Sequence, residues 1–390
     1  MATREFSEEQ VAIRDLVRAV ARDRVAPRAI EIDRTGEYPY DMFELLQELE
    51  LFALPFDASY GGTGSLLTSC IAVEELNRVC YNTAYLLVLQ WLPAAALTAA
   101  GTEEQQERFL GGLATGATRG SLALTEAQSG SDVAGTRTRA RRVDGGFVLD
   151  GNKIWCSGAD LADFVLVAAK VVEADGNDSA INLFIVERDT EGFTVAGHED
   201  KVGARGIKAC TLFLEEVSVP TTNRLGPDGA EGFRSVMEAL NQTRPIISAR
   251  GVGLAQGAID HAVEFVKSRV AFGRPVGEFQ GLRWMLADMV MQTEAARQLV
   301  YSNARAVDAG VTGAELAPLS AMAKCVATDT AMKVATDAVQ LFGAAGISNE
   351  YPINRYMRDA KVLQVIEGTN QIQRNIIADA VLGRVPRARR

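Results

Sequence analysis

The stretch DFVLVAAKVV at residues 163–172, followed by NLFIV at Asn182–Val186 and TLFLEEVSV at Thr211–Val219, decides the architecture. These are short runs rich in β-branched and aromatic residues, separated by turn chemistry, and they read as strands. Asp144-Gly145-Gly146 and Asp150-Gly151 add residues that accept positive φ in tight connections. Arg137, Arg139 and Arg141 alternate with Thr138 and Ala140, as on the solvated face of a strand.

Outward from this island the period changes on both sides. Towards the N-terminus, Ser7 and Gln10 fit a capping box with Phe6 and Val11 placed as its staple, and Ile13, Leu16, Val17 and Val20 follow at the spacing of one helix face. YGGTG at Tyr60–Gly64 is a loop between helices. After Gly232 the helical period returns, for example at Leu282, Met285, Leu286 and Met289, and runs to the end. The expected organisation is an α+β chain with a helical domain over 1–120, an antiparallel β domain over 121–232 and a helical bundle over 233–390.

Composition narrows the function. The chain has 390 residues, 47% hydrophobic and 23% charged, an ordinary globular balance with ample material for a core. A formal net charge of -10 argues against a surface built to neutralise nucleic-acid phosphates. Cys70, Cys80, Cys156, Cys210 and Cys325 form no C-x-x-C pair, and with only His198 and His261 beside them no metal site is expected. Charged residues of both signs open the chain, unlike a secretory or transit leader, so a cytoplasmic location is the default expectation. Val79–Thr102 carries no charge, but Asn82, Gln90 and Pro93 interrupt it, and it reads as a buried pair of helices rather than a membrane span.

Gly251, Gly253 and Gly257 read G-x-G-x-x-x-G, one residue too long for the dinucleotide fingerprint and without a preceding strand. Close helix packing explains them, and a nicotinamide-binding parallel sheet is disfavoured.

Four segments carry chemistry. TEAQSGSD at Thr125–Asp132 leaves a strand and offers hydroxyls, among them Ser131, and backbone N–H groups in a glycine-containing loop. DGNKIWCSGA at Asp150–Ala159 sets Trp155 and Ser157 at a strand end, where an indole covers a flat ring and a hydroxyl reaches a ring nitrogen; a buried structural Trp fits equally. In RVAFGRPVGEFQ at Arg269–Gln280, the Arg269 fork suits a pyrophosphate and Phe272 an adenosine face. In RDAKVLQVIEGTNQIQR at Arg358–Arg374, Glu367 sits between an apolar run and Gly368, where burial would raise it towards the working pH of a general base; a helix-terminal surface acid is the other reading.

Together with ATDAVQLFGAAG at Ala335–Gly346, these segments resemble, in order and spacing, the acyl-CoA dehydrogenase family, closest to its medium- and short-chain branch. The resemblance covers essentially the whole chain. It implies FAD between the β domain and the four-helix C-terminal bundle, in a homotetramer. Thr125 and Ser157 would bond the flavin ring with Trp155 over it and Ser131 beside cofactor and substrate. Arg269, Phe272 and Gln280 would hold the adenosine half, with Gln340 and Gly343 reaching it across a subunit interface. Thr369 and Gln371 would meet the phosphate and ribose region, while Asn241, Arg244 and Gly368 would line the thioester site.

The implied reaction is α,β-dehydrogenation of an acyl-CoA to the trans-2-enoyl-CoA, with Glu367 taking the α-proton as hydride passes to the flavin, and electron-transfer flavoprotein as acceptor. Ile366 stands where relatives often carry Tyr, and Asn241 where an acid is common; Tyr85 and Trp91 fall in the stretch expected to floor the acyl pocket. Two alternatives remain at this point: a desaturase or oxidase of a carrier-protein-tethered acyl group, and a non-catalytic assembly subunit.

Overall fold

The computed structural model describes residues 6–173, 178–227, 229 and 231–383. It begins with six α-helices: α1 (Glu8–Val20), α2 (Ala26–Thr35), α3 (Tyr40–Glu48), α4 (Leu66–Asn77), α5 (Tyr81–Ala100) and α6 (Glu103–Thr115). The Ser7–Gln10 capping box forms as expected and starts α1. On the anticipated α1 face Val17 is buried and Ile13 and Val20 are partly so, whereas Leu16 is 48% exposed.

The charge-free stretch is one continuous helix, α5, and not the expected pair. Its interruptions work within that single helix. Pro93 remains helical and packs close to Gly120, the Gln90 amide donates to the Thr118 carbonyl (2.7 Å), and Asn82 Oδ1 accepts from the Gly206 N–H (3.1 Å). Polar side chains that satisfy loop backbone from inside a helix need not break it. By length and hydropathy α5 is able to cross a bilayer, yet 67% of that window is buried inside the protein.

The chain then enters an eight-stranded sheet made of β1 (Gly120–Ala123), β2 (Arg139–Val143), β3 (Gly146–Ser157), β4 (Phe164–Val172), β5 (Asp178–Glu187), β6 (Phe193–His198), β7 (Ala209–Pro220) and β8 (Arg224–Leu225). The order is β6-β7-β3-β2-β4-β5-β8 with β1 on β4. Most neighbours are antiparallel, but β1 and β2 each pair with β4 in parallel. Phe147, Leu149, Phe184, Val186, Leu212 and Leu214 form part of a separate core inside the sheet. Arg137, Arg139 and Arg141 are exposed while Thr138 and Ala140 are buried, as the alternation predicted.

The bundle comprises α7 (Glu231–Ser268), α8 (Gln280–Asp308), α9 (Gly313–Phe342), α10 (Ile353–Val365) and α11 (Asn370–Leu382), with a two-stranded hairpin, β9 (Val270–Ala271) and β10 (Arg274–Pro275), between α7 and α8. The glycine run lies on α7, where a Cβ at Gly251 would sit 2.9 Å from the Ala327 carbonyl oxygen. At Gly253 and Gly257 it would sit 2.2 and 2.0 Å from the carbonyl oxygens of Glu74 and Arg78. These glycines let α7 approach α9 and the end of α4 at backbone distance. The N-terminal helices thereby share one continuous core with the bundle.

Candidate active site

At the end of β3 the pairing with β7 loses register between Lys153 and Cys156, and Trp155 there has φ 61. Such a bulge re-aims a side chain, and the indole is left half exposed. Two residues on, Ser157 Oγ accepts the Tyr85 hydroxyl of α5 (3.1 Å) and its carbonyl accepts the Ser121 hydroxyl (3.0 Å). The adjoining loop is anchored by Glu126, which is buried against the Lys153 ammonium (2.7 Å) and accepts from the N–H groups of Arg137 and Thr138 and from the Thr138 hydroxyl. Burial opposes ionisation of Glu126, but Lys153, Thr138 and the backbone donors outweigh it and hold the carboxyl at about 2. Thr125 is fixed to β3 through its carbonyl, which accepts Ile154 N–H (2.9 Å). Ser131 lies on the exposed part of the same loop.

Glu367 occupies the short connection between α10 and α11. Thr369 is the N-cap of α11, its hydroxyl oxygen accepting Ile372 N–H (3.3 Å), and Gln371 follows on the exposed side. Glu367 has φ 51 and Gly368 φ 84. The Gly368 carbonyl is tied down by the Lys324 ammonium of α9 (3.0 Å) and the Gln373 amide (3.2 Å). Glu367 Oε1 is buried without a hydrogen-bond partner among the described residues. Burial pushes this carboxyl above the ordinary glutamate range, and Arg250, then Lys324, then Arg244 pull it back. Arg244 is itself buried on α7, bonded to Asn241 Oδ1, with its Nη2 3.8 Å from where a Cβ on Gly368 would stand.

Arg269, Phe272, Gln280, Gln340 and Gly343 lie elsewhere, around the β9–β10 hairpin and the end of α9, and all are exposed. Phe265 stacks on Phe342 (4.1 Å), which brings the ends of α7 and α9 together. Phe272 has φ 52 and is 95% exposed, and a cleft of about 490 Å³ opens nearby between Val266, Pro275 and Arg283. Arg269 directly follows the last residue of α7, Ser268, which is eighteen residues along the helix from Arg250, roughly 27 Å at 1.5 Å per residue. The expected site residues thus form two groups, one around Glu367 and β3 and one around the hairpin.

Only six described non-glycine residues have positive φ, and Trp155, Phe272 and Glu367 are three of them. Held backbone strain of this kind concentrates at functional sites. The site also contains residues the sequence reading missed. Arg250 is fully buried with Nε, Nη1 and Nη2 all unpartnered, and its guanidinium carbon lies 4.1 and 4.3 Å from the ring centroids of Tyr81 and Tyr85. Lys324 is the second. A charge inside a small-residue helix face, as in ISARGVG and AMAKCVA, is the signal that marks both.

A flat redox cofactor fits this arrangement: an indole turned out of its strand beside a serine hydroxyl, a carboxylate with one buried and unpartnered oxygen, and an exposed aromatic with an arginine at the far end. The chain matches three consecutive family models: acyl-CoA dehydrogenase N-terminal domain over residues 7–117, middle domain over 121–217 and C-terminal domain over 230–382. A probable acyl-CoA dehydrogenase, FadE25, of Mycobacterium tuberculosis is 39% identical across 96% of each chain. Cyclohex-1-ene-1-carbonyl-CoA dehydrogenase of Geobacter metallireducens is 38% identical over 97% of this chain and 99% of its own. Among solved structures, butyryl-CoA dehydrogenase from Megasphaera elsdenii superposes with a TM-score of 0.91 at 37% identity, covering 97% of this chain and 99% of that one.

Proposed function

The chain belongs to the acyl-CoA dehydrogenase family and is an FAD-dependent oxidoreductase acting on acyl-CoA, and from that premise we propose that Glu367 is the base that removes the α-proton. The observation that carries this is the sealed, unpartnered Glu367 Oε1 in a strained connection ringed by three cations. Desolvation makes the carboxylate a stronger base, and the cations keep enough of it ionised to accept a proton.

The remaining assignments follow the same reading. The Glu367 N–H holds the thioester oxygen as it gains negative charge. Asn241, Arg244 and Gly368 line the thioester arm, and Ser131 borders it. Thr125 and Ser157 bond the flavin ring under Trp155, Thr369 and Gln371 meet the ribose and phosphate region, and Arg269, Phe272 and Gln280 take the adenosine half. FAD, when bound, supplies the acceptor for the hydride lost from the β-carbon.

Homotetramer assembly belongs to this proposal, with Gln340 and Gly343 of one subunit completing the adenosine site of another. Exposed Trp284, Val290 and Met291 on α8, with Ile347 beyond α9, offer apolar surface for such a contact. Electron-transfer flavoprotein as acceptor and a cytoplasmic location complete it. The residues retained at Glu367, Thr125, Ser157 and Arg269 are those of a working enzyme, and the assembly-subunit alternative is set aside. The carrier-tethered alternative is the weaker one: a similar prolyl acyl carrier protein oxidase is 26% identical, against 37% for butyryl-CoA dehydrogenase.

The test is anaerobic mixing of the purified flavoprotein with saturated acyl-CoAs, straight and branched, while the oxidised-flavin band is followed. Bleaching by one size class is the expected result. Retained FAD with no bleaching by any CoA thioester would overturn the substrate reading.

A further inference from the structure

Arg250, which projects from α7, is a fully buried cation with no hydrogen-bond acceptor for any of its three nitrogens among the described residues. Its planar group lies against the rings of Tyr81 and Tyr85, both on α5. The two rings, themselves 5.8 Å apart and edge-on to one another, attract the guanidinium but supply none of the oxygen acceptors that its N–H donors ordinarily find. The Tyr81 hydroxyl is also buried and unpartnered. Leaving a charged donor buried and unpaired costs several kcal/mol, so this cluster is built to be completed by something that accepts.

Its location identifies that partner. Tyr85 donates to Ser157 Oγ at the end of β3, and the Arg250 charge favours the ionised form of Glu367. Arg250 therefore lies near both the β3 terminus and the Glu367 connection, beside the place an acyl group must occupy for Glu367 to reach its α-carbon. A plain hydrocarbon would leave every edge N–H of Arg250 unsatisfied there; a carboxylate would accept two of them in a bidentate fork and the Tyr81 hydroxyl besides.

We infer that Arg250 is a specificity-determining residue: with Tyr81 it forms a polar end to the acyl pocket and selects an acyl-CoA whose chain carries a carboxylate. This rests on the acyl-CoA reading above, with Glu367 as base. Carboxylate recognition adds binding energy at a part of the substrate that does not react, and so sets which acyl chain is held in register with Glu367.

The experiment measures affinity rather than turnover. Dissociation constants are determined by calorimetry on the Glu367→Gln holoenzyme for chain-matched pairs, glutaryl-CoA against pentanoyl-CoA and the CoA monothioester of adipic acid against hexanoyl-CoA. In one of these pairs at least, the carboxylated member is expected to bind about tenfold to a hundredfold more tightly. Arg250→Gln removes that preference, and Arg250→Lys, which keeps a cation but loses the fork, restores part of it. Tyr81→Phe, a smaller change should Arg250→Gln fail to fold, reduces the preference without abolishing it. Equal affinity within both pairs, or a preference that survives Arg250→Gln, overturns the inference while leaving the acyl-CoA reading intact. Failure of every thioester, plain or carboxylated, to bind would overturn the acyl-CoA reading first and this inference with it.

Discussion

The ammonium of Lys324, in the middle of α9, donates to the carbonyl of Gly368 at 3.0 Å. It reaches the connection from below and also donates to Asn370 Oδ1 (2.8 Å) and the Gln364 carbonyl (3.4 Å), so one buried cation ties the end of α10, the turn and the start of α11 together. Burial pulls Lys324 down to about 8 against the opposing effect of Glu367. Replacement by Met leaves Asn370 Oδ1 and the Gln364 carbonyl without this donor. Lys324→Met is expected to destabilise the protein by about 2–4 kcal/mol, read by thermal or denaturant unfolding, and to lower the rate of thioester-driven flavin reduction. Unchanged stability would mean that the connection holds itself.

Glu367→Gln tests the base directly. The amide cannot accept the α-proton, so the variant should bind FAD and thioester yet lose the rapid bleaching of the flavin band. In the wild type the reacting form is the carboxylate, and burial raises its protonation range. The bleaching rate should therefore climb with pH through an inflection above the ordinary glutamate range, and fall as Glu367 is protonated below it. Lys324→Met removes one of the cations that oppose burial and should move that inflection higher still. Normal bleaching by Glu367→Gln would remove the assignment.

The division into helices, sheet and helices was legible because each region repeats its own hydrophobic period many times. The place of Glu367 after an apolar run and before Gly368 was legible as a local pattern, whereas its proposed role as base came from the resemblance of the surrounding segments. Residues whose importance depends on what another helix brings to them were not. Within ISARGVG Arg250 is a charge on a small-residue face with no stated purpose until α5 lays Tyr81 and Tyr85 against it, and so is Lys324 within AMAKCVA until the α10–α11 turn folds over it. Pro93 misled for the same reason: propensity favours a break, but packing near Gly120 and along α7 keeps α5 whole. Leu16 shows the converse, since periodicity names a face but not how much of it a neighbour covers.

The pair Lys153–Glu126 should prove structural for the cofactor loop. Both side chains are buried at 2.7 Å, and Lys153 also donates to the Leu124 carbonyl (3.1 Å), which fixes the strand exit before Thr125. Lys153→Met leaves the Glu126 charge buried without its cation, a loss of about 3–5 kcal/mol. It should also weaken FAD retention, measured as the flavin-to-protein absorbance ratio after gel filtration. Adding Glu126→Gln to Lys153→Met should recover part of the stability, because no lone charge then remains. A double variant as unstable as the single would mean that packing at these positions dominates.

Asp359 of α10 gives a pH dependence of stability separate from catalysis. It is fully buried, its Oδ1 accepts Ala204 N–H at 2.7 Å, and this bond joins the bundle to the segment before β7. Burial pushes the carboxyl up to about 6 from an ordinary 3.8, against the Ala204 bond and the nearby Arg355. The folded protein therefore holds this proton more tightly than the unfolded chain. The contribution is fully present below pH 3.8 and is lost as pH rises through 6, a change on the order of 3 kcal/mol. Asp359→Asn keeps an acceptor for Ala204 and cannot ionise, so its unfolding free energy should be flatter than the wild type between pH 4 and 6.5. Above pH 6.5 the variant should equal or exceed the wild type in stability. Parallel profiles for the two proteins across that window would show that Asp359 ionises in the fold at no cost.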